Sequence, residues 1–158
     1  MKDVNFKQSE DTLFLEEEHI ILKDQIKKFV ETEVKPEGSK WEVDGFIPRE
    51  IFKKMGALGF LGITYPTEFG GSEMDVRGSV VFAEELGKST FSGFAIASLV
   101  HTDMASVHLL NAGNKEQKEM YLSDIVAGNK ISCVAVTEPH AGSDVKNIRT
   151  KAQKVGNK

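Results

Sequence analysis

Apolar residues recur at helical spacing through most of the first 129 positions. Between Thr12 and Val34, charged residues surround apolar ones that lie three or four positions apart, namely Leu22, Ile26, Phe29 and Val30. This spacing places them on one face of an amphipathic helix. Pro36 has no backbone N–H to donate inside a helix, so we expect this first helix to end before it.

A second, shorter helix is predicted after Pro48. Proline suits the first turn of a helix, where its missing N–H would have had no partner. Ile51, Met55 and Leu58 form an apolar stripe, and Gly59 follows them. We therefore expect the helix to bury this stripe and to stop at the glycine.

Three further helices are predicted after an irregular connection at residues 63–75, which contains proline and paired glycine. The first is Val76–Gly87. The second, Phe91–Ala112, is apolar around most of its circumference, which predicts a central helix packed on several sides. Asn114 and Gln117 resemble a capping box that opens the third, which ends near Gly128.

The pattern changes to that of strands after residue 129. Residues 131–137 are rich in β-branched and small apolar side chains, and residues 148–153 alternate apolar with polar ones. Two strands alone seldom form a stable sheet in water. The predicted fold class is therefore mainly α: an amino-terminal helical bundle at 1–129, then the first strands of a truncated, β-barrel-like domain at 130–158.

The composition excludes several function classes. The chain has 158 residues, 40% hydrophobic and 28% charged, with a net charge of −4 and scattered lysines, so no nucleic-acid partner is indicated. Cys133 is the single cysteine, which excludes an intrachain disulfide and favours a reducing compartment such as the cytoplasm. No secretory signal is evident, and the longest apolar stretch, Gly93–Val100, is shorter than the roughly 20 residues of a membrane span.

The loop from Thr137 to Asp144 has the chemistry of a ligand-binding turn. Ala141 and Gly142 let a ligand approach the backbone closely, and the hydroxyls of Thr137 and Ser143 can donate to anionic or carbonyl oxygens. On the residues alone, an ordinary turn at the end of a strand is the simpler interpretation.

A longer motif contains this loop. The run from Val134 to Asp144, VAVTEPHAGSD, closely resembles the flavin-binding signature of acyl-CoA dehydrogenases. Further stretches agree in the same order, namely GFLG at 59–62, FGG at 69–71, EELG at 84–87 and EQK at 116–118. The chain is thus similar to that family over nearly its whole length.

The resemblance implies that residues 134–143 run along a bound FAD. The residues that it implies as cofactor contacts are Val134, Val136, Thr137, Gly142 and Ser143. Thr137 would hydrogen-bond the isoalloxazine ring, the last two would lie near the phosphates, and Ser143 would also contact the CoA part of the substrate. His140 stands where many relatives have glycine, a difference that bears on specificity.

The implied reaction is α,β-dehydrogenation of an acyl-CoA thioester, with electrons passed to electron-transfer flavoprotein. In the family the catalytic base is a glutamate of the carboxy-terminal helical domain, beyond Lys158, so no catalytic residue is assigned here and the chain alone is expected to be inactive. The resemblance further implies a homotetramer of the full-length enzyme, in the cytoplasm or the mitochondrial matrix. Residues 91–113 are reminiscent of members that act on longer straight chains.

Two other functions stay open at this point. One is a non-catalytic module that pairs with a second chain supplying the missing strands. The other is an acyl-CoA oxidase-like enzyme, which shares the signature and passes electrons to oxygen.

Other chemical candidates have simpler interpretations. By its position, the helix over residues 91–112 is similar to the family helix that lines the acyl tail, but Ala97, Leu99 and Val100 are equally suited to a bundle core. His101 and His108 lack the neighbouring ligands of a metal site and are interpreted as core or interface residues. Two more residues, Glu84 and Glu85, are expected on a solvated face.

Overall fold

The computed structural model describes residues 14–156. Its α-helices, in chain order, are α1 (Glu17–Phe29), α2 (Lys35–Asp44), α3 (Arg49–Ala57), α4 (Val76–Gly87), α5 (Ser92–Leu99), α6 (Ser106–Ala112) and α7 (Lys115–Val126). Two π-helical turns join α1 to α2 and α5 to α6, at Val30–Val34 and Val100–Ala105, and 3-10 turns lie at Thr67–Phe69 and Val145–Asn147. The predicted mainly α class is confirmed.

The first helix does not end before Pro36, so that prediction is wrong. The π-helical turn at Val30–Val34 shifts the hydrogen-bond register, and the N–H of Lys35 donates to Val30 O. Pro36 therefore enters the first turn of α2, where its missing N–H costs little. The predicted start at Thr12 lies outside the described residues, and α1 begins at Glu17.

α1 is attached to α4 by a polar cluster at their amino-terminal ends. The ring of His19 is fully buried, and its Nε2 lies 3.1 Å from Asp75 Oδ1. Asp75 also caps α4, because Oδ1 accepts from the backbone N–H of Arg77 at 2.8 Å. Arg77 in turn bonds Glu16 at 2.8 Å. These bonds fix the first turn of α1 against the start of α4.

The main core lies between α1, α2, α3, α4 and α5. Phe29 and Phe60 meet edge to face with centroids 5.7 Å apart, and Trp41 lies 6.0 Å from Phe94. The buried members of this core are Leu22, Ile26, Phe29, Val30, Val34, Trp41, Ile51, Phe52, Met55, Phe60, Leu61, Ile63, Val81, Phe82, Leu86 and Phe94. They come from separate helices and from the connection after α3, so the core closes the predicted bundle.

Two single-residue expectations are wrong. Leu58 is 50% exposed, because α3 ends at Ala57 and the chain turns there, so the helical spacing from Met55 no longer holds. Glu85 is 2% exposed, because it lies one turn after the core residue Val81 on the same face of α4. Its carboxylate accepts a hydrogen bond from Lys88 Nζ at 2.7 Å.

The helix predicted to be packed on several sides is covered on one side. Phe94, Ser98 and His101 are buried, whereas Ile96 is 55% and Met104 48% exposed. The described chain supplies neighbours to one face of the helix, and the apolar residues opposite have none.

This helix also corrects the expectation that no apolar stretch is long enough to span a membrane. Ser92–Ala112 has 21 residues with a mean hydropathy of 1.2, which is sufficient by length and composition. Its buried side, however, is hydrogen-bonded to other parts of the chain: Tyr65 OH donates to Thr102 O at 2.8 Å, and His101 Nε2 lies 3.1 Å from Ile125 O. Since the core helix of a globular protein has these properties, we assign it no membrane span.

The two predicted strands do not form in the described chain. Residues 131–137 and 148–153 have no regular secondary structure, and an isolated antiparallel bridge joins Glu138 to Ala141. A strand requires a hydrogen-bonded neighbour, and the described residues offer none to either segment. The division of the chain into 1–129 and 130–158 stays a prediction.

Candidate functional site

The signature segment, residues 134–144, follows α7 and lies open on the surface. The residues expected to contact a cofactor are all exposed, namely Val134, Val136, Thr137, Gly142 and Ser143. Their backbone N–H groups donate no hydrogen bond to residues 14–156. The structure thus places these residues as two groups of free donors, before and after the Glu138–Ala141 bridge, on an open segment and not in a pocket.

Gly142 occupies open space. A Cβ built at this position meets nothing within 4 Å, and the backbone does not have a positive φ that would require glycine. The chain itself therefore does not need a glycine there. Close approach of a bound group to the backbone is the use for glycine that fits this geometry.

Glu138 closes a loop over residues 138–150, which begins inside the signature segment. Its carboxylate accepts from the backbone N–H groups of Arg149 at 2.9 Å and Thr150 at 2.8 Å, and also from the Thr150 hydroxyl. The Thr150 hydroxyl and the two amides hold the pKa of the Glu138 carboxyl below its usual range. Glu138 and Ala141 exchange backbone hydrogen bonds of 3.0 and 3.1 Å. Residues 138–150 are therefore held as one closed turn.

His140 interacts with the same carboxylate. Its Nε2 lies 3.0 Å from Glu138 Oε2, and its side chain is 39% exposed. The imidazole thus lies beside the loop in contact with solvent.

His101 was expected in the core or at an interface, and it is fully buried; His108 is exposed. His101 Nε2 lies 3.1 Å from Ile125 O at the end of α7, and Nδ1 lies 3.1 Å from the backbone N of Ser132. Sequence patterns assign no role to Ser132 or Glu138, because the hydrogen bonds of each residue join positions far apart in the chain.

The helix over residues 92–112 divides the predicted tail-lining residues. Ala97 and Leu99 are partly buried and pack against the main core, as a bundle core requires. The exposed face instead carries Ile96 and Met104, with the partly exposed Val100 between them at helical spacing. An open groove of about 320 Å³ runs beside it, lined by Gly87, Thr90, Phe91, Ser92, Ala95, Ile96 and Leu99.

No group of three or more metal-ligating side chains occurs among residues 14–156. Cys133 is a free and exposed thiol. The polar chemistry near the signature segment is therefore that of backbone amides, hydroxyls and the Glu138 carboxylate.

A family model described as "Acyl-CoA dehydrogenase, N-terminal domain" matches residues 16–129. The chain belongs to the acyl-CoA dehydrogenase family. In this family member, the matched region comprises the helical bundle described above, from the residue before α1 to the turn after α7.

Curated and solved relatives of this acyl-CoA dehydrogenase family member agree. The mouse long-chain specific acyl-CoA dehydrogenase, mitochondrial, is 36% identical over 139 residues, 88% of this chain and 32% of the relative. A crystal structure of acyl-CoA dehydrogenase from Geobacillus kaustophilus has a TM-score of 0.86 at 39% identity, over 91% of this chain and 37% of that one.

One solved relative has a bound cofactor. The Bacillus anthracis acyl-CoA dehydrogenase complexed with FAD has a TM-score of 0.81 at 33% identity, over 86% of this chain and 23% of that one. The chain spans about a third of the length of the curated relatives that it matches.

Proposed function

We propose that this chain contributes part of the flavin and CoA site of an FAD-dependent acyl-CoA dehydrogenase, which oxidises acyl-CoA thioesters between the α and β carbons. The observation that carries the proposal is in the signature segment, where the amides of Val134, Val136, Thr137, Gly142 and Ser143 lack partners within residues 14–156. Buried polar groups need partners, so an assembled protein must supply acceptors for these donors if it covers them.

The donor set fits FAD. Backbone N–H groups at Gly142 and Ser143 suit phosphate oxygens, and Thr137 can donate from both its amide and its hydroxyl to the polar edge of a flavin ring. The exposed side chains of Val134 and Val136 offer apolar contact to the ring system. When bound, the flavin would supply the redox chemistry by accepting the β-hydride.

Other residues of this chain would bind and orient the substrate in the proposed enzyme. Ser143 would contact the CoA part of the substrate. The apolar face of Ile96, Val100 and Met104 would line the acyl tail, since apolar side chains with no neighbour suit a hydrocarbon ligand. Within residues 1–158, we assign no residue as the base that removes the α-proton.

Partners and location follow from the same proposal. The electron acceptor is electron-transfer flavoprotein, and the full-length enzyme is a homotetramer in the bacterial cytoplasm or the mitochondrial matrix. Relatives named mitochondrial and relatives from bacteria both support this location. We further propose a helical domain at 1–129 and the beginning of a β-domain at 130–158.

A second candidate function is a module that a separate chain completes. The unpaired residues 131–137 favour it, because they are free to pair with strands of another chain. Purifying residues 1–158 from cells, with added FAD, distinguishes the candidates by what copurifies: the dehydrogenase proposal predicts a colourless chain that retains no second protein. Tight association with a separately encoded second chain, with recovery of flavin, would favour the module.

The reaction is tested on the full-length protein that carries this sequence. We expect a long-chain acyl-CoA to drive reduction of electron-transfer flavoprotein or a dye, without consumption of oxygen. Oxygen consumption with release of peroxide would instead identify an oxidase. Absence of any acyl-CoA-dependent reduction in a flavin-loaded preparation would contradict the proposed activity.

A further inference from the structure

His101 is buried, yet backbone groups occupy both of its ring nitrogens. Nε2 lies 3.1 Å from Ile125 O, and a carbonyl oxygen can only accept, so Nε2 carries the hydrogen. Nδ1 is then the acceptor, and it receives the backbone N–H of Ser132 at 3.1 Å. The partners therefore select one neutral tautomer of the ring.

Ser132 is bound twice by this residue. Its Oγ lies 3.1 Å from His101 Nδ1 and 3.1 Å from His101 O. Since the single lone pair of Nδ1 accepts the Ser132 N–H, the hydroxyl hydrogen goes to the carbonyl oxygen. His101 thus holds both the backbone and the side chain of Ser132.

The surroundings of His101 make it a rigid anchor. Its ring packs edge to face on Phe52, with centroids 5.6 Å apart, and burial lowers the pKa of the imidazole. Ser106 Oγ donates to His101 O, and Tyr65 OH donates to Thr102 O at 2.8 Å. These buried bonds occupy backbone acceptors of the π-helical turn Val100–Ala105.

Ser132 is the point at which residues 131–137 are fixed. Among these residues, within the described part of the chain, Ser132 alone makes hydrogen bonds, and it lies two positions before Val134. The direction in which the chain enters the signature segment therefore depends on the Ser132–His101 contact.

We propose that His101 is a positioning residue for the cofactor-binding segment, acting through the acceptor Nδ1 on the backbone N–H of Ser132. This inference rests on the proposed function, because the segment that it positions is the proposed FAD contact. His101 itself touches neither cofactor nor substrate. Its role is to reduce the number of conformations that residues 133–137 must lose when the cofactor binds.

Two substitutions separate the ring nitrogens in the full-length protein. In His101→Asn, the side-chain oxygen lies near the position of Nδ1 and can still accept from Ser132. In His101→Gln, the side-chain amide nitrogen lies near the position of Nε2 and can still donate to Ile125 O. Each variant loses one hydrogen bond of similar strength, so both should lower the melting temperature of the apoprotein.

The dissociation constant of FAD, measured by quenching of flavin fluorescence, should differ between them. We expect about a tenfold rise in His101→Gln, as the loss of one net hydrogen bond predicts, and less than about a threefold rise in His101→Asn. Leu86→Ala is the packing control, because Leu86 is buried on α4 and makes none of the contacts of His101; it should lower the melting temperature and leave the dissociation constant unchanged.

Equal rises in both variants, or rises that follow the melting temperature across all three, would overturn the proposal and leave His101 a packing residue. If the unmodified protein binds no FAD, the proposed function fails. Hydrogen exchange at the Ser132 amide then tests the positioning role of His101 on its own. Exchange should be faster in His101→Gln and unchanged in His101→Asn. The same exchange rate in both would contradict the positioning role.

Discussion

At the scale of single residues, Glu138 illustrates what sequence patterns miss. The residue lies inside the signature, and the pattern gives it no task. In the structure its carboxylate accepts from amides eleven and twelve positions later. Local spacing cannot reveal such a bond, because it depends on how the intervening chain closes.

The Glu138 bonds predict a pH dependence of the loop over residues 138–150. The folded state holds the pKa of Glu138 below its usual range, with the Thr150 hydroxyl as the largest cause. The stabilisation is therefore complete above the ordinary glutamate pKa of about 4.3 and is lost as the pH falls through the lower, folded-state pKa. Protection factors of the Arg149 and Thr150 amides should fall at acid pH.

Glu138→Gln should reduce this protection at neutral pH, because an uncharged amide is a weaker acceptor. Glu119→Gln is a matched control, since Glu119 pairs with Lys115 at the exposed surface of α7. The control should leave both amides protected. Unchanged protection in Glu138→Gln would show that the carboxylate does not close the loop.

Gly56 is a position where an added Cβ atom would clash with the backbone. A Cβ there would lie 2.3 Å from the backbone carbonyl carbon of Ala127, whereas a Cβ at Gly87 would meet nothing within 4 Å. Gly56→Ala should lower the free energy of unfolding by about 1–3 kcal/mol through overpacking. Gly87→Ala should be neutral or raise it by up to about 1 kcal/mol, because alanine favours a helix. Denaturant unfolding of both variants checks this, and equal effects would contradict it.

At the scale of elements, helical periodicity located most of the helices but neither α2, which lies where the first helix was expected to have ended, nor the neighbours of each helix. The stretch over residues 91–112 was correctly predicted to be helical. Its π-helical turn and its exposed face were not predicted, because periodicity records which residues are apolar and not which surface covers them. It is the exposed apolar face that distinguishes a helix lining a ligand site from a helix packed only in a bundle core.

The exposed face gives a prediction for Ile96. Ile96 is 55% exposed, so Ile96→Gln should change the free energy of unfolding of residues 1–158 by less than about 0.5 kcal/mol. In the full-length enzyme it should raise KM for long acyl-CoA several-fold, because a polar amide would replace apolar contact with the tail.

Val80→Gln is the matched control for Ile96→Gln, since Val80 is 59% exposed on α4. Its KM should equal that of the unmodified enzyme. Equal KM values in all three proteins would remove Ile96 from the acyl site.

The buried face of α4 gives a prediction about stability. Leu86 is fully buried, and Leu86→Ala should lower the free energy of unfolding by about 2–5 kcal/mol, from lost transfer energy and the cavity left behind. Val80→Ala, on the exposed face of the same helix, should cost less than about 0.5 kcal/mol. Urea unfolding measures both free energies. Similar losses in the two variants would contradict the assignment of Leu86 to the core and Val80 to the exposed face.

At the scale of the whole molecule, the helical part was predictable and the part after residue 129 was not. The capping box of α7 forms as predicted, with both Asn114–Gln117 bonds at 2.9 Å. Such features depend on neighbouring residues. The predicted strands failed for the opposite reason: a strand depends on a partner, and residues 14–156 provide none.

In the candidate site, too, local features were predictable from the sequence and long-range contacts were not. The motif identified Val134, Val136, Thr137, Gly142 and Ser143 as a group, and the structure adds that their amides lack partners within the described residues. What holds the segment in place, at Ser132 and Glu138, depends on long-range contacts. Sequence patterns identified the proposed contacts and left out their supports.

FAD binding at the signature segment is tested by the absorbance spectrum of the full-length protein after gel filtration with FAD. Gly142→Val is compared with it, because open space at Gly142 lets the fold accept a side chain that would block close approach of a ligand. Gly87→Val is the control, because a side chain at Gly87 would also enter open space.

We expect a retained flavin band in the unmodified protein and in Gly87→Val. In Gly142→Val we expect a lost or much reduced band with an unchanged far-ultraviolet circular dichroism spectrum. A colourless unmodified protein would contradict FAD binding. A full flavin band in Gly142→Val would contradict the proposed contact at the signature segment.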